Sequence, residues 1–173
     1  PTDGFYRCSV DESVEPDIFA FQEIYDHTPA QTQALVQTWL PGTWYSADVN
    51  DCQTISRYPI EASWAIDGNL ASILDTTAPL GRKLLLINAH LPCCANETQR
   101  QQEIDRILRF VRDAMHEPGG VLDVPAGTAI AVTGDLANLG LPTEHAIALD
   151  WLGTLGTSDR VTVIPGNHDI YSG

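Results

Sequence analysis

Basic residues are scarce in this chain: 9 lysines and arginines stand against 23 aspartates and glutamates, for a formal net charge of -14. Such a surplus repels polyanions, so long nucleic acid is disfavoured as a substrate unless bound cations reverse the sign locally. A small phosphoester stays compatible on the same ground. No apolar run reaches the roughly 20 residues that a membrane-spanning helix needs, so no span is expected. The opening Pro1-Thr2-Asp3-Gly4-Phe5-Tyr6 lacks the basic and then apolar layout of a secretory leader, which makes a cytoplasmic setting the expectation. Zinc-type C-x-x-C spacing is missing too. Cys93 and Cys94 are adjacent, where a disulfide between them would be strained, and Cys8 could meet Cys52 only if folding joins them. Reduced thiols are therefore expected, and Asn96-Glu97-Thr98 reads as an incidental match to a glycosylation acceptor. No internal repeat or low-complexity stretch interrupts the 173 residues, and 43% hydrophobic content suffices for one sizeable core. A single domain over 1–173 follows.

The pattern along the chain alternates strand and helix. Residues 16–23 read as a mostly buried strand ending in the carboxylate of Glu23. Thr28 as N-cap, Pro29 at the first helical position and Gln31 as a capping-box partner announce a helix that stops at Pro41-Gly42. Residues 55–60 suggest a strand interrupted by Pro59, and Asp67-Gly68-Asn69 between two apolar runs predicts a hairpin. A strand over 83–90 follows. The clearest helix covers 97–115: Ile104, Ile107, Leu108, Val111 and Met115 form its core face, and Arg100, Glu103, Arg106 and Asp113 a solvated one. A second helix, about 143–152, is expected to turn Ala146, Ile147 and Leu149 to the core. Hairpins first and strand-helix-strand crossovers later predict mixed sheets with outer helices.

The last third carries two strand-like runs that each empty into a polar loop. Ala129-Ile130-Ala131-Val132-Thr133 leads into Gly134-Asp135-Leu136-Ala137-Asn138, and Val161-Thr162-Val163-Ile164-Pro165 into Gly166-Asn167-His168-Asp169. A buried parallel strand fixes its own C-terminal end and glycine permits a sharp turn, so carboxylate, amide and imidazole would point into one crevice. Hard divalent cations take such donors. The plainer reading is that Asp135 and Asn138 cap the following helix and that Gly166-Asn167 is an ordinary turn.

Residues 16–133 resemble the endonuclease/exonuclease/phosphatase superfamily, the DNase I-like metal hydrolases, through Phe21-Gln22-Glu23, Ser56-Arg57-Tyr58-Pro59-Ile60, Asn88-Ala89-His90-Leu91 and the strand into Gly134-Asp135, all in that family's order. The resemblance implies that Glu23 binds a catalytic Mg²⁺, that His90 lies beside the scissile phosphate, and that Asp135 orients or activates the attacking water. Residues 128–171 are instead similar to the calcineurin-like metallophosphoesterases, which carry GD-x-x-D/N followed by GNH-D/E. Ala137 stands where the DNase I-like pattern has asparagine. This second resemblance implies Asp135 bridging two metals such as Mn, Fe or Zn, with Asn138 and Asn167 as further ligands. It also implies His168 protonating the leaving oxygen or contacting phosphate, and Asp169 in support.

Neither motif set is complete, and the seam falls near 128–138. The expected fold is a four-layer α/β/β/α sandwich with mixed sheets, incomplete relative to either family, its parts being 1–127 and 128–173. The expected activity is metal-dependent hydrolysis of small phosphate mono- or diesters with Mg²⁺ or Mn²⁺. The alternative is a recombined or designed scaffold of the same architecture without catalysis.

Overall fold

The structure, a computed structural model, describes residues 15–92, 96–116, 127–136, 142–155 and 157–165. It is mixed α/β, with two sheets and four helices among the described residues. The smaller sheet has the order β1-β3-β2, formed by β1 (Ile18–Phe21), β2 (Tyr45–Val49) and β3 (Cys52–Ser56), all antiparallel. Between β1 and β2 lies α1 (Pro29–Trp39), which starts where the sequence predicts. The Thr28 amide donates to Gln31 Oε1 at 2.8 Å, and Thr28 Oγ1 accepts from the Gln31 amide. Val36 of α1 packs with Trp44 and Ile55, against Phe19, Phe21 and Leu40. The first strand is shorter than expected, four half-buried residues at a sheet edge.

Residues 55–60 do not form one strand. β3 ends at Ser56, and the Ser56-Arg57-Tyr58-Pro59-Ile60 motif carries the chain from one sheet to the other. Proline has no N–H to give a ladder, so the break falls there. The crossing is held by hydrogen bonds to the start of the chain's described part: Arg57 N donates to Asp17 O at 2.8 Å, Tyr58 Oη to Asp17 Oδ2 at 2.9 Å.

The larger sheet has the order β4-β5-β6-β7-β8. β4 (Ile60–Ile66) and β5 (Asn69–Leu74) form the predicted hairpin about Asp67-Gly68, both residues at positive φ, 51° and 95°. A single helical turn, α2 (Thr77–Leu80), ends at Gly81 before β6 (Leu84–His90). β6 pairs antiparallel with β5 and parallel with β7 (Ala129–Asp135), which pairs parallel with β8 (Val161–Pro165). The crossovers contain α3 (Glu97–His116) and α4 (Pro142–Leu155). Ile107, Val111 and Ala114 of α3 and Trp151 and Leu152 of α4 pack against Leu85, Ile87, Ala89, Ile130 and Val132 of the strands. Each fully buried aliphatic side chain there contributes about 1.5–3 kcal/mol. A third cluster, Leu74, Leu86 and Ala131, meets Ile18, Tyr58, Ile60 and Leu84.

Three further expectations are corrected. Glu103 is not on a solvated face of α3: it is 5% exposed, and Arg100 is half-buried, while Arg106 and Asp113 are exposed as expected. In α4, Ile147 and Leu149 are 60% and 68% exposed, and Ala146 is exposed too. This helix is apolar on most sides, so periodicity cannot select a face, and the bulk of Trp151 decides it. Among the described residues β8 is an edge strand with Ile164 exposed, not a buried one.

Candidate active site

Five chain segments meet at one edge of the two sheets: the ends of β1, β6 and β7, the turn before β3 and the start of β5. Antiparallel pairing of Phe21 with Gln53 brings the residues after β1 beside the turn before β3. That turn is Asn50-Asp51, with Asn50 at φ 53°, a left-handed conformation that asparagine tolerates. Glu23 also sits at positive φ, 60°, where a long side chain is uncommon. The bend lets the amides of Glu23 and Ile24 turn back on Asp51, the first to Oδ2 at 3.3 Å and the second to the carbonyl at 3.0 Å.

His90 closes the group from the other sheet. Its Nδ1 lies 2.6 Å from Asp51 Oδ2 and its Nε2 3.6 Å from Glu23 Oε1. An ionised carboxylate only accepts, so Nδ1 carries the shared proton and Nε2 is left to act toward solvent. Asp51 and His90 are mostly buried, at 15% and 23% exposure, whereas the Glu23 side chain is 67% exposed. Tyr25 follows on the rim, its side chain exposed. Desolvation first, then the charges of Asp51 and Glu23, push its phenol above the ordinary range.

Asn88, two residues before His90 and fully buried, ties the sheets together. Its Nδ2 donates to the carbonyls of Phe21 at 3.0 Å and Gln53 at 3.2 Å, and its Oδ1 accepts from Gln22 Nε2 at 2.5 Å. Every polar atom of the amide is used, which is what a buried asparagine requires. The end of β7 reaches the same edge, for Asp135 is in register with His90 and Gly134 with Ala89. Gly134, at φ 113°, is needed there: a Cβ would stand 1.7 Å from the Ala89 carbonyl oxygen.

Of the residues singled out from sequence, Glu23 and His90 come together, and the backbone of Asp135 lies beside that of His90. Asn138, Asn167, His168 and Asp169 lie outside the described residues, as do Cys8, Cys93 and Cys94. Among the described residues no group of three or more His, Cys, Asp or Glu is placed to hold a metal ion. Asp51 was missed by sequence reading because Asn-Asp between two short strands reads as turn chemistry. Its one available signal was its place opposite the Phe21-Gln22-Glu23 end of an antiparallel neighbour. Cys52, which follows it, is buried and free, and its thiol is pushed up to about 12 by burial first and by the charge of Asp51 next. No helix among the described residues is long and apolar enough to cross a membrane. Comparison of the chain with protein-family models, with curated proteins and with solved structures finds no match.

Proposed function

We propose that this chain hydrolyses small phosphate esters with the help of a divalent cation, as a DNase I-like enzyme of the endonuclease/exonuclease/phosphatase type built on a four-layer α/β/β/α sandwich. The observation that carries the reading is the row Asp51, His90, Glu23, in which a carboxylate 2.6 Å from Nδ1 orients an imidazole whose Nε2 faces a second, exposed carboxylate. The layering is supported by α1 packing on the smaller sheet, α3 and α4 on the larger, and Leu74, Leu86 and Ala131 meeting Ile18 between them. The net charge of -14 favours a small substrate over a long polyanion.

The donor chemistry fits a hard cation: Glu23 offers exposed carboxylate oxygens, and Asp135 belongs to the same edge. Glu23 would hold Mg²⁺ or Mn²⁺, which when bound neutralises charge on phosphate oxygens. The rest of the chemistry belongs to the side chains. Asp51 keeps the proton on Nδ1 and stabilises the imidazolium, in which state Nε2 hydrogen-bonds a phosphate oxygen. Asp135 orients or activates the attacking water. The calcineurin-like part would add Asn138, Asn167 and His168, with Asp169 in support, and the proposal does not depend on them.

The test is turnover of bis(p-nitrophenyl) phosphate with Mg²⁺ or Mn²⁺. His90→Ala and Asp51→Ala should each lower kcat/KM by about 10²–10⁴, the usual worth of a positioned acid or base. Unchanged turnover in both variants, or turnover indifferent to a chelator, overturns the reading. A second reading is a stable scaffold of the same architecture without catalysis, in which Glu23, 67% exposed, is a surface charge. A thermal midpoint unmoved by Mn²⁺, together with no turnover, would select it.

A further inference from the structure

The amide of His90 stands past the end of a ladder. The β5–β6 partners run from Leu74 and Leu84 to Leu70 and Asn88, and the chain leaves β5 at Asn69 for the hairpin turn. The side chain of Asn69 takes over there. Its Oδ1 accepts from His90 N at 2.8 Å, and its Nδ2 donates to the Ile66 carbonyl at 3.1 Å and to Glu103 Oε2 at 3.2 Å. Asn69 is fully buried, and Glu103 nearly so. The other Glu103 oxygen accepts from Gln99 Nε2 at 3.2 Å, one turn earlier on α3.

A buried carboxylate is costly, and an apolar side chain on this face of α3 would pack without that cost. What the carboxylate adds is direction. Its oxygens accept from the Asn69 NH₂ and from Gln99, and with the Ile66 carbonyl they turn the Asn69 oxygen toward the His90 N–H. Without an acceptor at 103 the Asn69 NH₂ keeps only the Ile66 and Asp67 carbonyls at the hairpin turn, and the hold on the oxygen that faces His90 is weakened.

We infer that Asn69 and Glu103 are positioning residues that clamp the end of β6 and thereby hold the His90 imidazole against Asp51; their catalytic consequence rests on the phosphoesterase reading above, their structural one does not. Asn69 fixes the backbone of His90, and Glu103 fixes Asn69.

The experiment compares the full chain with Asn69→Ala, Glu103→Leu and Glu103→Gln, reading amide hydrogen exchange at His90 by NMR and kcat and KM for bis(p-nitrophenyl) phosphate with Mg²⁺. Glu103→Gln keeps an oxygen acceptor for Asn69 and should retain wild-type values. Asn69→Ala and Glu103→Leu should speed exchange at His90 about tenfold or more relative to the amides of mid-β6. They should also lower kcat by about 10–100-fold with KM little changed, as for residues that orient a site from behind. Should Asn69→Ala not fold, the Leu and Gln pair at 103 still decides. Unchanged exchange at His90 in the variants that lack the amide or its acceptor overturns the inference, as does equal behaviour of the two Glu103 variants. Absence of turnover in every chain, wild type included, counts against the phosphoesterase reading alone, and the exchange data then judge the clamp.

Discussion

The two sheets contribute to the candidate site in different ways. The smaller one delivers carboxylates from turns: Glu23 after β1 and Asp51 before β3, with left-handed backbone at Glu23 and at Asn50. The larger one delivers His90 from the end of a strand, clamped by the buried Asn69 and paired with the end of β7. Turn-borne groups adjust at little energetic expense, whereas strand-borne groups move only with their ladder. The contrast suits a site in which an imidazole is fixed and an exposed carboxylate adapts to whatever it binds.

The heaviest blow to the strand-borne half should be Gly134→Ala. The added Cβ would overlap the Ala89 carbonyl oxygen at 1.7 Å in a backbone at φ 113°. Overpacking against backbone and strain at positive φ each cost about 1–3 kcal/mol, so a loss of about 4 kcal/mol is expected in urea titration. Turnover should fall with it, because Asp135 is the next residue. A variant of wild-type stability would mean that β6 and β7 slide apart freely at this end, and that His90 is no more fixed than Glu23.

Asn88→Ala attacks the tie between the two halves. It strands the carbonyls of Phe21 and Gln53 and the Gln22 amide in a buried place. Unsatisfied buried groups cost about 1–3 kcal/mol each, and partial relaxation brings the expected total to about 3 kcal/mol. A thermal or urea midpoint that barely moves would show that the sheets are held by Leu74, Leu86 and Ala131 alone.

How much of this was legible in the sequence depended on whether a signal was local. The Thr28-Pro29-Gln31 cap and the Asp67-Gly68 hairpin are decided by neighbours in the chain, and both stand as read. The helix α3 showed its core at Ile107 and Val111 through spacing, because its other faces are strongly polar. The carboxylate of Glu103 broke that pattern, since its reason for burial is Asn69, 34 residues away. Exposed Ile147 and Leu149 on α4 were illegible for the opposite reason: a helix with little polar surface gives periodicity nothing to read. Glu23 and His90 were visible as motif residues, while Asp51 was hidden in turn chemistry until strand register set it against His90.

The smallest expected effect concerns Cys52, the first residue of β3 and the neighbour of Asp51. Burial, then the Asp51 charge, hold its thiol at about 12 in the folded chain, against the ordinary thiol value of 9.0. A raised pKa means that the folded state keeps a proton which the unfolded state gives up. The stabilisation is therefore complete below pH 9.0 and is lost as pH rises from there toward about 12. By pH 10 the loss should be on the order of 1–2 kcal/mol, and it should be missing in Cys52→Ala. Cys8, Cys93 and Cys94 are common to both chains, so the difference between their pH profiles belongs to Cys52. Parallel profiles above pH 9.0 would mean that water reaches the thiol one residue beyond Asp51. The smaller sheet would then be open behind its turn, and the difference between an adjustable rim and a sealed strand would hold only for the larger sheet.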